Sequence, residues 1–145
     1  MNDSPHLAIA PDDIVHYMTH YRYGDNANGE NGLFNCWGLL RDVQKRFFGI
    51  ELPETSLGDP LAALYKERMT TGAWQIVGQP FHGAGVLMRD GLDPHCGVWL
   101  DFDGGGVLHC ERGNGVLWQN KVQLHLYGYS NLKFYRFKHG YNRTH

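Results

Sequence analysis

Long apolar runs are missing from this chain of 145 residues, and no stretch approaches the length a helix needs to cross a bilayer. The opening segment, MNDSPHLAIAPDD, has neither a basic start nor an apolar stretch of signal-peptide length. The expectation is a chain made in the cytoplasm, with no signal peptide and no membrane anchor. Excess charge is lacking too. A formal net charge of −2 offers no field to recruit a polyanion, so no nucleic-acid partner is expected. Three cysteines cannot close a disulfide framework, and at least one thiol is left free. With no repeat, low-complexity tract or linker, residues 1–145 read as a single domain large enough to bury one core.

Glycine is plentiful, at 19 residues, which points to many turns and close backbone approaches. PDDIVHYMTHY (11–21) reads as a helix: Pro11 suits a first turn and Asp12 and Asp13 its positive end. Ile14, Val15, Met18 and Tyr21 recur at helical spacing. A glycine- and asparagine-rich loop follows at 24–32, then a second helix over 36–48 with Leu39, Leu40, Val43 and Phe47 as its apolar stripe and Gly49 as its stop. GDPLAALYKERM (58–69) predicts a third helix capped by Asp59. From residue 73 the period changes to two, and AWQIV, AGVLMR, HCGVWLDF, GVLHCER, GVLWQ and NLKFYRF read as strands. Helices first and strands after predict an α+β fold, with N-terminal helices packed on an antiparallel sheet.

The chemistry centres on Cys36. Asn35 is a good N-cap, which places Cys36 in the first turn of the second helix. A helix N-terminus favours a thiolate, and its backbone N–H groups suit an oxyanion. The plainer reading is a small buried hydrophobe. Gly38 in the same turn leaves room for a substrate or a sheet to approach the backbone. A base is at hand in the strands. With a three-residue turn near 102–104, His95 and His109 fall on one face of a hairpin as diagonal neighbours, roughly 7–8 Å apart. His95 would take the thiol proton and His109 would orient His95. A one-residue slip would part them. The same register sets Cys96 beside Cys110 on the other face, as packed thiols, a cross-strand disulfide or half a metal site. Cys36, His95 and His109 are competent zinc ligands, yet no C-x-x-C pair supports a metal site there, and none is expected.

YRYG (21–24), NCWGLL (35–40), ELP (51–53), GAGVLMR (83–89), HCGVWL (95–100) and VLHC (107–110) stand in an order that resembles the NlpC-type cell-wall cysteine peptidases, a papain-like family. The resemblance spans roughly residues 11–119. It implies a papain-like fold with the nucleophile at a helix N-terminus, and it matches Cys36 to the nucleophile, His95 to the base and His109 to the third polar residue. Tyr21 matches a tyrosine near the thiol that binds substrate or oxyanion, and Trp37 stands where a substrate-binding serine is usual, so it is expected to reshape the pocket. Asn35 and the GAG at 83–85 replace carboxylate-bearing motifs. The implied activity is cofactor-free hydrolysis of peptidoglycan stem peptides, often between γ-D-glutamate and a diamino acid. Compact members occur among phage tail-associated proteins, which implies a phage tail or other delivery apparatus as partner and the periplasmic cell wall as place of action. Two alternatives stay open: a papain-like amidase or acyltransferase on another acyl substrate, and a silent binding or tail-assembly module.

Overall fold

The computed structural model describes residues 8–25, 27–52, 72–91 and 93–137. Helix α1 (Pro11–His20) starts as its sequence directs, with proline at the first position and the Asp13 carboxylate accepting the Ala10 N–H at 2.8 Å. Its inward residues are Ile14 and Tyr17, whereas Val15 and Met18 face outward, contrary to the stripe read from the sequence. The Tyr17 hydroxyl donates to Asp42 at 2.6 Å, and this bond ties α1 to the next helix. The chain then runs through β1 (Arg22–Tyr23), a single 3-10 turn at Glu30–Gly32 and β2 (Leu33–Phe34), which pairs in parallel with β1.

Helix α2 (Cys36–Phe48) has the boundaries expected from its sequence. Asn35 caps it by accepting the Gly38 N–H at 2.6 Å, and Gly49 closes it at φ 69°. Leu39, Leu40 and Val43 are fully buried, and each contributes about 2 kcal/mol of transfer free energy. The predicted helix at 58–69 lies outside the described residues.

All six predicted strands form. They are β3 (Trp74–Val77), β4 (Gly85–Asp90), β5 (Asp93–Leu100), β6 (Gly106–Glu111), β7 (Gly115–Gln119) and β8 (Tyr129–Phe137). They build one open antiparallel sheet in the order β3-β8-β4-β5-β6-β7. A short helix, α3 (Lys121–Leu126), joins β7 to β8 and adds an element to those expected. Its sequence signal is a reciprocal capping box between Asn120 and Gln123, with bonds of 2.9 and 2.8 Å.

Alternation along β5 and β6 divides the core. Cys96, Val98, Leu100, Leu108 and Cys110 face α1 and α2, while Trp99 and Val107 join Val86, Met88, Leu124 and Phe134 on the other side. The fold is α+β, with helices on an antiparallel sheet. No helix among the described residues is long and apolar enough to cross a membrane.

The start of α2 is pinned from outside. The Ala27 carbonyl accepts the Asn35 N–H at 3.1 Å, and a β-carbon added at Gly38 would sit 2.3 Å from that same oxygen. Two effects oppose each other in Gly38→Ala: alanine gains about 1 kcal/mol of helix propensity, against about 1–3 kcal/mol for forcing the loop outward. A clash with backbone puts the cost at the upper end. Urea denaturation of this variant is expected to show a net loss of about 1–2 kcal/mol; a gain in stability would mean the loop is not held there.

Candidate active site

Cys36 is the first residue of α2, and its thiol meets β5. The Cys96 side chain hydrogen-bonds it, His95 adds a second hydrogen bond and a favourable charge, and the Cys96 backbone N–H adds a third bond. Together these outweigh burial and hold the Cys36 thiol well below the usual cysteine range. Cys110 goes the other way: burial, then the charge of Cys36, push it up to about 12, and its thiol donates to the Phe34 carbonyl at 3.3 Å. Cys96 and Cys110 are free, packed thiols with no disulfide between them.

The hairpin register is the one the turn length predicts. Gly97 pairs with His109, which leaves His95 diagonal to His109 on the same face. His95 Nε2 and His109 Nδ1 lie 2.9 Å apart. Gly97 makes this possible, since a β-carbon there would meet the Leu108 carbonyl at 2.7 Å and the His109 β-carbon at 2.9 Å. His109 is fully buried, and its Nε2 lies 2.8 Å from Oε1 of Gln119. Burial first, and the charge of His95 second, lower its pKa to about 4. The motifs do not single out Gln119, although a lone glutamine at an inward position of GVLWQ is a usable signal. The two imidazoles face each other at hydrogen-bond distance. Among the described residues no group of three or more His, Cys, Asp or Glu side chains is placed to hold a metal.

Tyr129 closes the arrangement from β8. Its ring stacks on His95 at 4.9 Å and 20°, and its hydroxyl donates to Glu111. Cys36 and His95 open onto a cleft of about 620 Å³, whose walls include Tyr23, Asp93, Glu111, Arg112 and Tyr129. Arg112 lies over the Tyr23 ring at 5.1 Å and pairs with Asp25 at 2.7 Å. Burial raises the Tyr23 hydroxyl pKa against the pull of Arg112, with Asp25 and then Cys36 adding to the rise.

Two expected residues stay outside the cleft lining. Tyr21 packs its ring on Phe34 at 4.6 Å and on Tyr17 at 5.7 Å, and of this segment it is Tyr23 that lines the cleft with Cys36. Trp37 is 2% exposed and lies against Trp74 at 5.5 Å, so it fills core instead of reshaping a pocket. Helical spacing accounts for this, since Trp37 continues the stripe of Leu40, Gln44 and Phe47.

Compared with protein-family models and with curated proteins, the chain matches none. Its chemistry therefore rests on the arrangement itself: a thiol biased toward its anion, an imidazole against it, a buried second imidazole behind, and an open cleft in front.

The lowered pKa of His109 has a stability consequence with a definite sign. Between its unfolded value near 6.5 and its folded value of about 4, the unfolded chain binds a proton that the native state refuses. The stabilisation is present above about pH 6.5 and is lost as pH falls toward about 4, by about 3 kcal/mol. Urea unfolding of the wild type and His109→Asn across this range should show a steeper loss in the wild type. Parallel curves would contradict a neutral buried His109.

Proposed function

We propose that this chain is a papain-like cysteine peptidase that hydrolyses peptide bonds in bacterial peptidoglycan stem peptides. The observation that carries the reading is the Cys36 thiol at the head of α2, hydrogen-bonded by His95 within an open cleft. The ordered motifs described above supply the substrate class and the favoured bond, between γ-D-glutamate and a diamino acid.

Cys36 gives up its proton to His95 and attacks the scissile carbonyl carbon. The negative charge that develops on the carbonyl oxygen falls beside the first turn of α2, where the Cys36 N–H and the hydroxyl of Tyr23, which lines the same cleft, are the donors assigned to it. The His95 imidazolium then protonates the leaving amine as the C–N bond breaks. Water, deprotonated by His95, attacks the thioester and releases the acid and the thiol. No cofactor enters any step. Action on the periplasmic cell wall would follow delivery by a phage tail or a similar apparatus.

Purified wild type incubated with defined stem peptides and with peptidoglycan is expected to release fragments that mass spectrometry assigns to one bond. Cys36→Ala should release none, and His95→Ala should be slower by at least about 100-fold. Cleavage that survives Cys36→Ala would overturn the assignment of the nucleophile.

A further inference from the structure

Three polar side chains step diagonally across three neighbouring strands on one face of the sheet. His95 of β5 is diagonal to His109 of β6 through the Gly97–His109 pair, and His109 is diagonal to Gln119 of β7 through the His109–Leu117 and Val107–Gln119 pairs. Their contacts run in series: His95 Nε2 to His109 Nδ1 at 2.9 Å, then His109 Nε2 to Gln119 Oε1 at 2.8 Å. His109 is 0% and Gln119 6% exposed, so bulk water does not stand in for either partner.

We infer that Gln119 is the positioning residue that fixes the proton arrangement of both imidazoles and so presents His95 to Cys36 as a base. The inference rests on the reading of Cys36 and His95 as nucleophile and base. Its logic is a matter of donors and acceptors. An amide carbonyl oxygen only accepts, so His109 Nε2 carries the hydrogen. A neutral imidazole has one N–H, so His109 Nδ1 is left as an acceptor. His95 Nε2 must then carry a hydrogen and donate it. The nitrogen remaining for Cys36 is His95 Nδ1, with its lone pair available. When the S–H bond of Cys36 breaks and an N–H bond forms at Nδ1, nothing else in the series has to rearrange, because His95 Nε2 donates in both protonation states.

A neutral amide at the end of the series matters. It holds the His109 hydrogen without drawing a second positive charge into the sheet beside the His95 imidazolium, and burial keeps His109 neutral near pH 7. The ionisable groups around the pair include Cys36 of α2, Glu111 of β6, Asp90 and Asp93 in the cleft beside His95, and Tyr129 of β8, whose ring meets His109 edge-on at 5.2 Å. The Tyr129–Glu111 hydrogen bond fixes that carboxylate on the tyrosine hydroxyl.

The test needs no substrate, so its outcome is separate from that of the peptidase reading. Nitrogen-15 NMR of the wild type near pH 7 should find His109 protonated on Nε2 and bare on Nδ1. In Gln119→Leu, His109 should lose this single tautomer. Alkylation of Cys36 by iodoacetamide at about pH 6 should slow by about tenfold, the equivalent of one pKa unit. Gln119→Glu keeps an acceptor in place. It should retain the Nε2 hydrogen while moving the titration of His109 upward from about 4, since a carboxylate favours the imidazolium. A hydrogen on His109 Nδ1 in the wild type would overturn the inference. So would a Gln119→Leu protein with unchanged imidazole spectra and alkylation profile, or a Gln119→Glu protein in which His109 titrates as before. Failure to cleave any peptide would leave these readouts, and the inference, standing on their own result.

Discussion

The antiparallel pairing of Gly97 with His109 is the contact on which the rest of the site depends. A side chain of any size at position 97 would strike the Leu108 carbonyl and His109 itself, so glycine is what leaves room for a second imidazole within the sheet. The pairing also settles the opposite face. Once His95 and His109 point one way, Cys96 and Cys110 point toward α2, and Cys96 hydrogen-bonds the Cys36 thiol. One register thus delivers the base, its supporting imidazole and a hydrogen-bond donor for the thiolate. A slip by one residue would invert all of them together.

The second requirement is that α2 begin at Cys36 and nowhere else. Asn35 takes the Gly38 N–H, and the Ala27 carbonyl holds the Asn35 N–H from the neighbouring loop. Further along, α2 is anchored by its buried stripe and by Gln44, whose amide donates to the Gly83 carbonyl at 2.7 Å. The helix start is therefore held at its end and along its length, which a reactive thiol requires: a displacement of an ångström would separate it from His95. The electrostatic pattern agrees with the geometry. Of Cys36 and Cys110, the thiol at the cleft is shifted toward its anion and the buried one away from it.

Local patterns in the chain make most of the fold legible. Strand periodicity with glycine and aspartate turns marks six strands, and a cap followed by an apolar stripe marks α2 at both ends. What local pattern does not settle is which of two nearby aromatic residues reaches the cleft. Tyr21 leaves α1 into a cluster with Tyr17 and Phe34, so it packs, and Tyr23 two residues on lines the cleft together with Cys36. For Trp37 the deciding factor is its helical face, which the motif around Cys36 does not convey. Val15 and Met18 yield the inward face of α1 to Tyr17, which buries its ring and satisfies its hydroxyl on Asp42. Gln119 is the hardest of these residues to find in the sequence. Its role arises from two diagonal steps across strands, and only the paired registers of β5, β6 and β7 bring it to His109.

The central claim is that Cys36 exists as a thiolate paired with His95, and thiolate absorbance in the ultraviolet tests it most directly. Titration of the wild type should reveal one thiolate formed well below the pH at which an ordinary cysteine ionises, absent from Cys36→Ser and shifted to higher pH in His95→Ala. If no thiolate appears until about pH 8.5, where an ordinary cysteine ionises, Cys36 is an ordinary thiol and the account fails.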